Sequence, residues 1–239
     1  IHFLPNYGWS NVSFREMVEQ EINHPVFIDN DSNNLAIAER WYGEGRGVDD
    51  FLVVTLQNGV GSGSVVRGQV VRGHLGIASE FGHMCMDPEG PLCRCGRHGC
   101  VEAYVGNNAI IRDSIKLAEA GEWSTTLAEV SRMKFEDVLE ELQVGNDKLE
   151  GVYKRAGAVL GVGLRNLITL FNPQLIILTG KGTRAGEKLF GPMFSAMESL
   201  RSGKFGSYRT KIVINDWTEE DWARGAGTLV LQEIYDQKS

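Results

Sequence analysis

The 239-residue sequence has no uninterrupted apolar run long enough to cross a bilayer, which argues against a membrane-spanning helix. Its opening stretch, IHFLPNYGWSNVSF, has no basic segment leading into an apolar one, so a secretory signal peptide is not expected. Lys and Arg number 24 against 31 Asp and Glu, giving a net charge of −7. This balance argues against nucleic-acid binding by these residues, because phosphate contacts need an excess of basic side chains. The short basic stretch at 199–211 is interpreted as a solvated turn.

Cysteine is scarce too, yet its distribution is uneven. The chain has four cysteines, and three of them fall in the segment CRCGRHGC at 93–100. Without a secretory signal, so few cysteines indicate a reducing compartment, and a cytoplasmic location is expected. Thiol or metal chemistry is therefore expected in this segment, and disulfide bonds are not.

Alternation of helical and strand-like patterns predicts an α/β fold. The segment NGVGSGSVVRGQVVRG at 58–73 predicts a glycine-started β-hairpin. Further strands are expected at 25–29, 51–57, 174–180 and 210–215. Helices are expected at 11–22, 32–43, 103–120, 126–142, 148–171, about 184–200 and about 220–235.

The spacing C-x-C-x4-C places three soft ligands in one turn, and a tetrahedral Zn²⁺ site needs a fourth Cys or His. His83 is favoured, because the intervening MCMDPEGPL contains a turn signal able to fold the chain back onto the cysteines. His98 is less suitable, since so tight a loop cannot easily turn both its flanks and its centre inward. The alternative is a set of unmetallated thiols or a redox loop. The candidate fourth ligands are His74, His83, Cys85 and His98.

Two glutamates flank the predicted zinc loop. Glu80 begins the tetrapeptide EFGH that ends in His83, and Glu102 follows Cys100 by two positions. A metal that fixes His83 also fixes these neighbours, and the second imidazole nitrogen then needs a hydrogen-bond partner. Two carboxylates and an imidazole N–H around one point suit a polyol, because carboxylates accept strong hydrogen bonds from hydroxyl groups.

The acidic segment DNDSN at 29–33 allows two interpretations. Asn30 or Asp31 could cap the helix that follows, which is a structural role. Alternatively, Asp31 faces a cleft at the carboxyl end of a strand as a general base or hydroxyl acceptor. An EF-hand calcium loop is excluded, because Asn34 and Arg40 stand where that loop needs Gly and Glu.

The glycines of NGVGSG invite a phosphate-binding interpretation. The segment is neither a dinucleotide-binding fingerprint nor a Walker loop, since it continues into a strand and lacks Gly-Lys-Ser/Thr. A hairpin whose amides face a phosphate and a plain tight turn both remain open. The candidate phosphate-loop residues are Gly59, Gly61 and Gly63.

Taken together, N30-D31-x-N33, the glycine hairpin, E80-F-G-H83 and C93-x-C95-G-x-x-G99-C100-x-E102 resemble the ROK family of repressors, uncharacterised reading frames and sugar kinases. The resemblance runs from PNYGW to ARGAGTLVL at 223–231. It implies an α/β, actin-like (ribonuclease H-like) two-lobed ATPase fold, with residues 1–45 as the remainder of a truncated first lobe. Residues 46–239 would form the second lobe, with the zinc loop at 83–102.

The same resemblance assigns roles to individual residues. It implies a sugar site at Asn30, Asp31, Glu80, His83 and Glu102, and in a kinase Asp31 would be the catalytic base. It implies zinc ligands at His83, Cys93, Cys95 and Cys100.

Departures from the family's kinases weigh against binding of ATP and Mg²⁺. The amino-terminal Asp-x-Gly-Gly-Thr loop is absent, Gln57 and Asn58 replace smaller residues in the second phosphate loop, and Lys181 interrupts a glycine run. The opening HFLPNYGW is similar to xylose-repressor-type regulators. The expected function is therefore sugar sensing in a dimeric or tetrameric transcriptional repressor that contacts DNA through a segment absent from this chain. An ATP-dependent sugar kinase is the main alternative, and a protein that senses sugar without DNA binding or catalysis is the third.

Overall fold

A computed structural model describes residues 3–4, 8–123, 129–199, 209–215 and 218–236. Most of the basic stretch at 199–211 lies outside these residues. The strands are β1 (Phe3–Leu4), β2 (Trp9–Ser10), β3 (Phe51–Leu56), β4 (Val60–Val66), β5 (Gln69–Val70), β6 (Leu175–Thr179) and β7 (Lys211–Ile214). The α-helices are α1 (Phe14–Ile22), α2 (Asp31–Tyr42), α3 (Glu102–Val105), α4 (Asn107–Glu119), α5 (Phe135–Gln143), α6 (Asp147–Phe171), α7 (Glu187–Ser199) and α8 (Glu219–Asp236). Short 3₁₀ helices occupy Phe81–His83, Val130–Arg132 and Lys181–Ala185.

The main sheet is mixed, with strand order β5-β4-β3-β6-β7. β4 pairs antiparallel with β3 through the predicted hairpin, whereas β6 and β7 run parallel to β3. In the central pair, Phe51 lies opposite Leu175 and Val53 opposite Ile177. The parallel pairing brings the carboxyl ends of β3 and β6 to one edge of the sheet, where ligands commonly bind in α/β folds.

The central strands β3 and β6 are buried on both faces. Alternate residues of a strand point to opposite sides of the sheet, and here they enter two different cores. Leu52, Val54 and Leu56 belong to the large core formed with α3 to α7. Phe51 and Val53 belong to a second core that includes Leu35 and Ala36 of α2 and is flanked by Trp222 of α8. The continuous apolar run in β3 is thus explained by burial on both sides.

Helix α2 packs directly on β4, and the strand's small residues make this possible. A β-carbon built on Gly63 would overlap the carbonyl of Ser32, and one built on Gly61 would overlap the Ser32 hydroxyl. These two glycines therefore have a packing role, since they allow the backbones of α2 and β4 to approach closely.

No helix in the described part of the chain has the length and apolar character needed to cross a bilayer.

Three segments differ from the sequence expectations. The strand expected at 25–29 is irregular, because the backbone N–H of Val26 donates to the Glu19 carboxylate and not to a neighbouring strand. The helix expected at 103–120 is two helices, because Gly106 has an extended backbone. Residues 124–128 lie outside the description, and within 126–142 the α-helix begins only at Phe135, where Lys134 is extended and donates its backbone N–H to Asp137.

Candidate functional site

A cleft of about 730 Å³ opens at the edge of the sheet where β3 ends. It is bordered by the first turn of α2, the turn between β3 and β4, the 3₁₀ helix Phe81–His83 and the cysteine loop. Its residues are predominantly polar, which suits a hydroxyl-rich ligand better than an apolar one. The residues that line it include Asn30, Asp31, Gln57, Asn58, Glu80, His83, Arg94, Cys95 and Lys181.

His83, Cys93, Cys95 and Cys100 lie beside this cleft, with their ligand atoms all within 4.8 Å of one another. The Sγ atoms of Cys95 and Cys100 are 3.7 Å apart, and Nδ1 of His83 is 3.5 Å from Sγ of Cys93. Tetrahedral zinc with its usual bond lengths gives about 3.8 Å between two sulfurs and about 3.6 Å between sulfur and nitrogen. Both the donor types and their separations therefore fit a zinc ion.

The other candidate ligands lie outside this group of four. Cys85 is exposed, and its thiol donates to the carbonyl of His98. Nδ1 of His98 lies 2.9 Å from the carbonyl of Gly90. His74 is exposed in a loop and is not part of the cluster. The spacing argument that favoured His83 is consistent with this geometry.

The three clustered thiols differ in acidity. Burial raises the pKa of Cys100 to about 12, and burial also raises the pKa of Cys93. For Cys95, burial raises the pKa, but hydrogen bonds from Arg97, Cys93 and Cys100 outweigh it and bring the value to about 7. A cysteine binds a metal ion as the thiolate, so a buried protonated thiol must lose its proton first. Metal uptake by this cluster should therefore release protons.

The segment EFGH places Glu80 and His83 at the cleft. Phe81 is buried in the main core and anchors the 3₁₀ helix. Ser79 has a positive φ of 65° and is held by β4, with the Ser62 hydroxyl donating to its carbonyl and its own hydroxyl donating to Ser64. Nε2 of His83 lies 3.9 Å from the Glu80 carboxylate, so the nitrogen outside the cluster faces the cleft.

The start of α2 presents Asn30 and Asp31 to the cleft. Asn30 is the N-cap and accepts a hydrogen bond from the Ser32 backbone at 2.8 Å, as the capping interpretation expected. Asp31 is the first helical residue, where the helix dipole favours a negative charge. Behind them, the buried carboxylate of Asp29 accepts hydrogen bonds from Arg72 and Asn33 and fixes this turn against the hairpin.

Glu102 is close to the cleft but does not line it. Its carboxylate is buried and accepts two hydrogen bonds from Arg94, at 2.6 and 3.1 Å, and one from the backbone of Val60. A β-carbon on Gly59 would overlap this carboxylate, so a larger residue at the turn would have to displace the Glu102 side chain. Pairing with Glu102 raises the pKa of Arg94, which keeps the guanidinium charged. The sequence interpretation missed Arg94, whose position between two cysteine ligands was the available signal.

The candidate phosphate loop forms the tight turn between β3 and β4. The carbonyls of Gln57 and Asn58 accept backbone N–H groups from Asn107 and Asn108 at the start of α4. Gly59 and Gly61 line the cleft, whereas Gly63 lies under α2. A phosphate role for Gly59, Gly61 and Gly63 stays a prediction.

A family profile described as the ROK family matches residues 1–233, and the chain therefore belongs to the ROK family. Among its relatives, the glucokinase of Thermotoga maritima is 29% identical over 239 residues, covering 98% of this chain and 75% of that protein. The xylose repressor of Bacillus subtilis is 28% identical over 237 residues, covering 99% of this chain and 58% of that protein. The chain thus spans little more than half of the repressor.

Solved structures show the same two kinds of relative. A ROK family glucokinase from Streptomyces griseus, solved in complex with glucose and AMPPNP, matches 95% of this chain and 75% of its own, with a TM-score of 0.82 and 28% identity. A ROK family transcriptional regulator described as a homologue of the E. coli MLC protein also has a TM-score of 0.82 and 28% identity, covering 98% of this chain and 58% of its own. The fold is accordingly the α/β, actin-like ATPase fold of the ROK sugar kinases, as the sequence resemblance implied.

Proposed function

We propose that this chain is the sugar-sensing region of a ROK-type transcriptional regulator. The ligand would be a small sugar or sugar derivative, held by hydroxyl acceptors on the first turn of α2 and by the Glu80–His83 pair. The fold, the polar cleft and the similarity to a glucokinase solved with glucose and to a xylose repressor support a sugar ligand. The proposed sugar site comprises Asn30, Asp31, Glu80 and His83, with Glu102 behind them.

Zinc is the proposed cofactor, and its role is structural. Held by His83 and the three clustered cysteines, it would fill its coordination positions with protein ligands and fix the cysteine loop. Its effect on the sugar site would come through His83, because a histidine bound through Nδ1 carries its proton on Nε2. That N–H would then be available to Glu80 or to a sugar oxygen.

The choice of a regulator rests on the side chains of the turn between β3 and β4, the candidate phosphate loop. Gln57 and Asn58 line the cleft there, beside Gly59 and Gly61. Larger side chains at these positions crowd a close approach of phosphate to the backbone. Sugar binding without phosphoryl transfer is consistent with this arrangement.

In the proposed mechanism, the sugar would bring the two lobes together and alter the geometry of a dimer or tetramer. DNA would be contacted by residues outside these 239, and operator affinity would change because sugar and operator are coupled sites. The division at residue 45 into two lobes, the oligomeric state and the cytoplasmic location belong to this proposal.

An ATP-dependent sugar kinase is the second candidate. It is favoured by the position of Asp31, whose carboxylate lines the cleft, and by the glucokinase relatives. In that reaction Asp31 would accept the proton of a sugar hydroxyl as its oxygen attacks the γ-phosphate of ATP, and Lys181 on the same cleft could face phosphate oxygens.

Calorimetric titration and a coupled ADP assay on the same zinc-loaded protein distinguish the two candidates. A regulator is expected to bind a sugar with a measurable heat and to form no ADP when Mg²⁺-ATP is added. Glucose, xylose and their phosphorylated and acidic derivatives are the probes. Sugar-dependent ADP formation that disappears in Asp31→Asn would instead establish the kinase.

A further inference from the structure

Cys85 is an exposed thiol that the proposed zinc site does not use. The four cysteines all lie within the described range 8–123, and the other three belong to the metal-ligand cluster. Cys93 and Cys100 are buried, whereas Cys85 is open to an oxidant dissolved in water. Cys95 is exposed as well, but its sulfur would be occupied by the metal. Exposure makes a thiol that binds no metal the more susceptible one.

Cys85 and Cys100 lie opposite each other across an antiparallel bridge. The residues that follow them, Met86 and Val101, donate backbone hydrogen bonds across this bridge at 2.7 and 3.0 Å. The two cysteines exchange no backbone hydrogen bond with each other, so they form a non-hydrogen-bonded pair. In such a pair the Cα atoms lie about 4.5 Å apart, and the two side chains lie on the same face of the bridge.

This arrangement allows a disulfide bond between Cys85 and Cys100. Disulfide-bonded cysteines have Cα atoms about 4.4–6.8 Å apart, so the bridge already brings the two backbones within range. Their sulfurs now have different partners, since the Cys85 thiol donates to the carbonyl of His98 and the Cys100 thiol donates to that of His83. Rotation about the two Cα–Cβ bonds would turn the sulfurs toward each other.

We propose that Cys85 is an oxidation site through which a peroxide releases the metal from the cluster. The Cys85 thiolate attacks hydrogen peroxide, so that an S–O bond forms and the O–O bond breaks. The departing hydroxide and the proton of the thiol form water, and a sulfenic acid is left. The Cys100 thiolate then attacks the Cys85 sulfur, so that the S–S bond forms while the S–O bond breaks and hydroxide leaves. The two sulfurs lose two electrons, which the peroxide has taken up.

The disulfide removes one of the four proposed metal ligands. His83, Cys93 and Cys95 remain, and three protein ligands leave a tetrahedral site open to water. This inference rests on the proposed zinc site and adds control by an oxidant to it. Because His83 both belongs to the cluster and lines the cleft, loss of the metal should also lower the affinity for sugar.

The first test treats the zinc-loaded chain with hydrogen peroxide and follows zinc release with a metallochromic dye that leaves the reduced protein loaded. Cys85→Ser is expected to release zinc at least about tenfold more slowly than the wild type, because serine forms no sulfenic acid. A thiol reductant with added zinc should restore the metal content of the oxidised wild-type chain. Release from Cys85→Ser at the wild-type rate would overturn the proposal.

The second test identifies the bond by mass spectrometry of the oxidised, unreduced chain. Trypsin and a glutamate-specific protease place each cysteine on its own peptide, since they cleave after Glu89, Arg94 and Arg97. A peptide pair joined through Cys85 and Cys100 is expected. If the chain binds no zinc at the outset, the proposed cofactor fails, and this map still decides whether the two cysteines pair.

Two results of the map would contradict the proposal. One is a disulfide between Cys95 and Cys100, whose sulfurs lie 3.7 Å apart, because the cluster would then oxidise without Cys85. The other is a sulfenic or sulfinic acid that persists on Cys85 while zinc stays bound. Adding Val144→Cys to Cys85→Ser supplies an exposed thiol elsewhere, and zinc release should stay slow because that thiol does not face Cys100.

Discussion

Replacing Cys100 by serine is expected to abolish zinc binding and to destabilise the chain strongly. Cys100 is fully buried in the four-residue cluster, where its sulfur lies 3.7 Å from that of Cys95. A structural zinc site contributes on the order of 10 kcal/mol, which is comparable to the whole stability of a domain, roughly 5–15 kcal/mol. Zinc content by elemental analysis and unfolding by circular dichroism measure the effect. Sugar affinity should fall with stability, since the same metal would hold His83.

Cys85→Ser is the matched control, because Cys85 is exposed and outside the cluster. This variant should keep one zinc per chain and the wild-type unfolding temperature. Removing the metal from the wild-type protein with a chelator separates loss of zinc from the cost of burying a serine hydroxyl. If the chelated protein keeps the stability and sugar affinity of the zinc-loaded protein, the metal neither supports the fold nor positions His83.

Asp31→Asn is expected to weaken sugar binding by about 1.5–3 kcal/mol, the range for a lost hydrogen bond to a charged group. This corresponds to roughly 10- to 150-fold in affinity. One carboxylate oxygen of Asp31 accepts hydrogen bonds from the backbone and hydroxyl of Ser32, which leaves the other for a ligand. The start of α2 should survive, since Asn30 supplies the cap. Calorimetry and urea unfolding measure the two effects on the same variant.

Asp29→Asn gives the opposite expectation and serves as the control. Asp29 lies two residues earlier and is not among the residues that line the cleft, and its buried carboxylate pairs with Arg72 at 2.7 Å. Its amide variant should lose about 1–3 kcal/mol of stability and, when folded, lose less sugar affinity than Asp31→Asn. A variant pair in which Asp29→Asn loses sugar affinity and Asp31→Asn retains it would contradict the placement of the site at Asp31.

Much of the fold could be predicted because the local signals agree with the tertiary structure. The apolar run at 51–57 and the turn residues after it predicted β3 and the hairpin. The pattern at 148–171 predicted α6 almost to its observed ends. The expected strand at 25–29 failed because its polar contacts are made with side chains, such as the bond from Val26 to Glu19. The pattern of apolar and polar residues along the chain does not predict such side-chain contacts.

The sequence named most of the polar residues that border the cleft, but it could not predict the hydrogen bonds among them. The sequence favoured His83 as the fourth member of the cysteine cluster, because the turn in MCMDPEGPL could fold the chain back, and the four side chains do lie together. The same reasoning offered Glu102 to a ligand, whereas the structure places Arg94 over it. An arginine in a short loop has many possible partners, and only the folded geometry selects one.

A crystal structure of the zinc-loaded protein with a bound sugar would test the proposed site most directly. The sugar is expected in the cleft at the end of β3, with its oxygens within hydrogen-bonding distance of Asp31 and Glu80 and of Nε2 of His83. Zinc should lie among the sulfurs of Cys93, Cys95 and Cys100 and Nδ1 of His83. A sugar bound elsewhere on the molecule, with Asp31 and His83 free of it, would contradict the proposal.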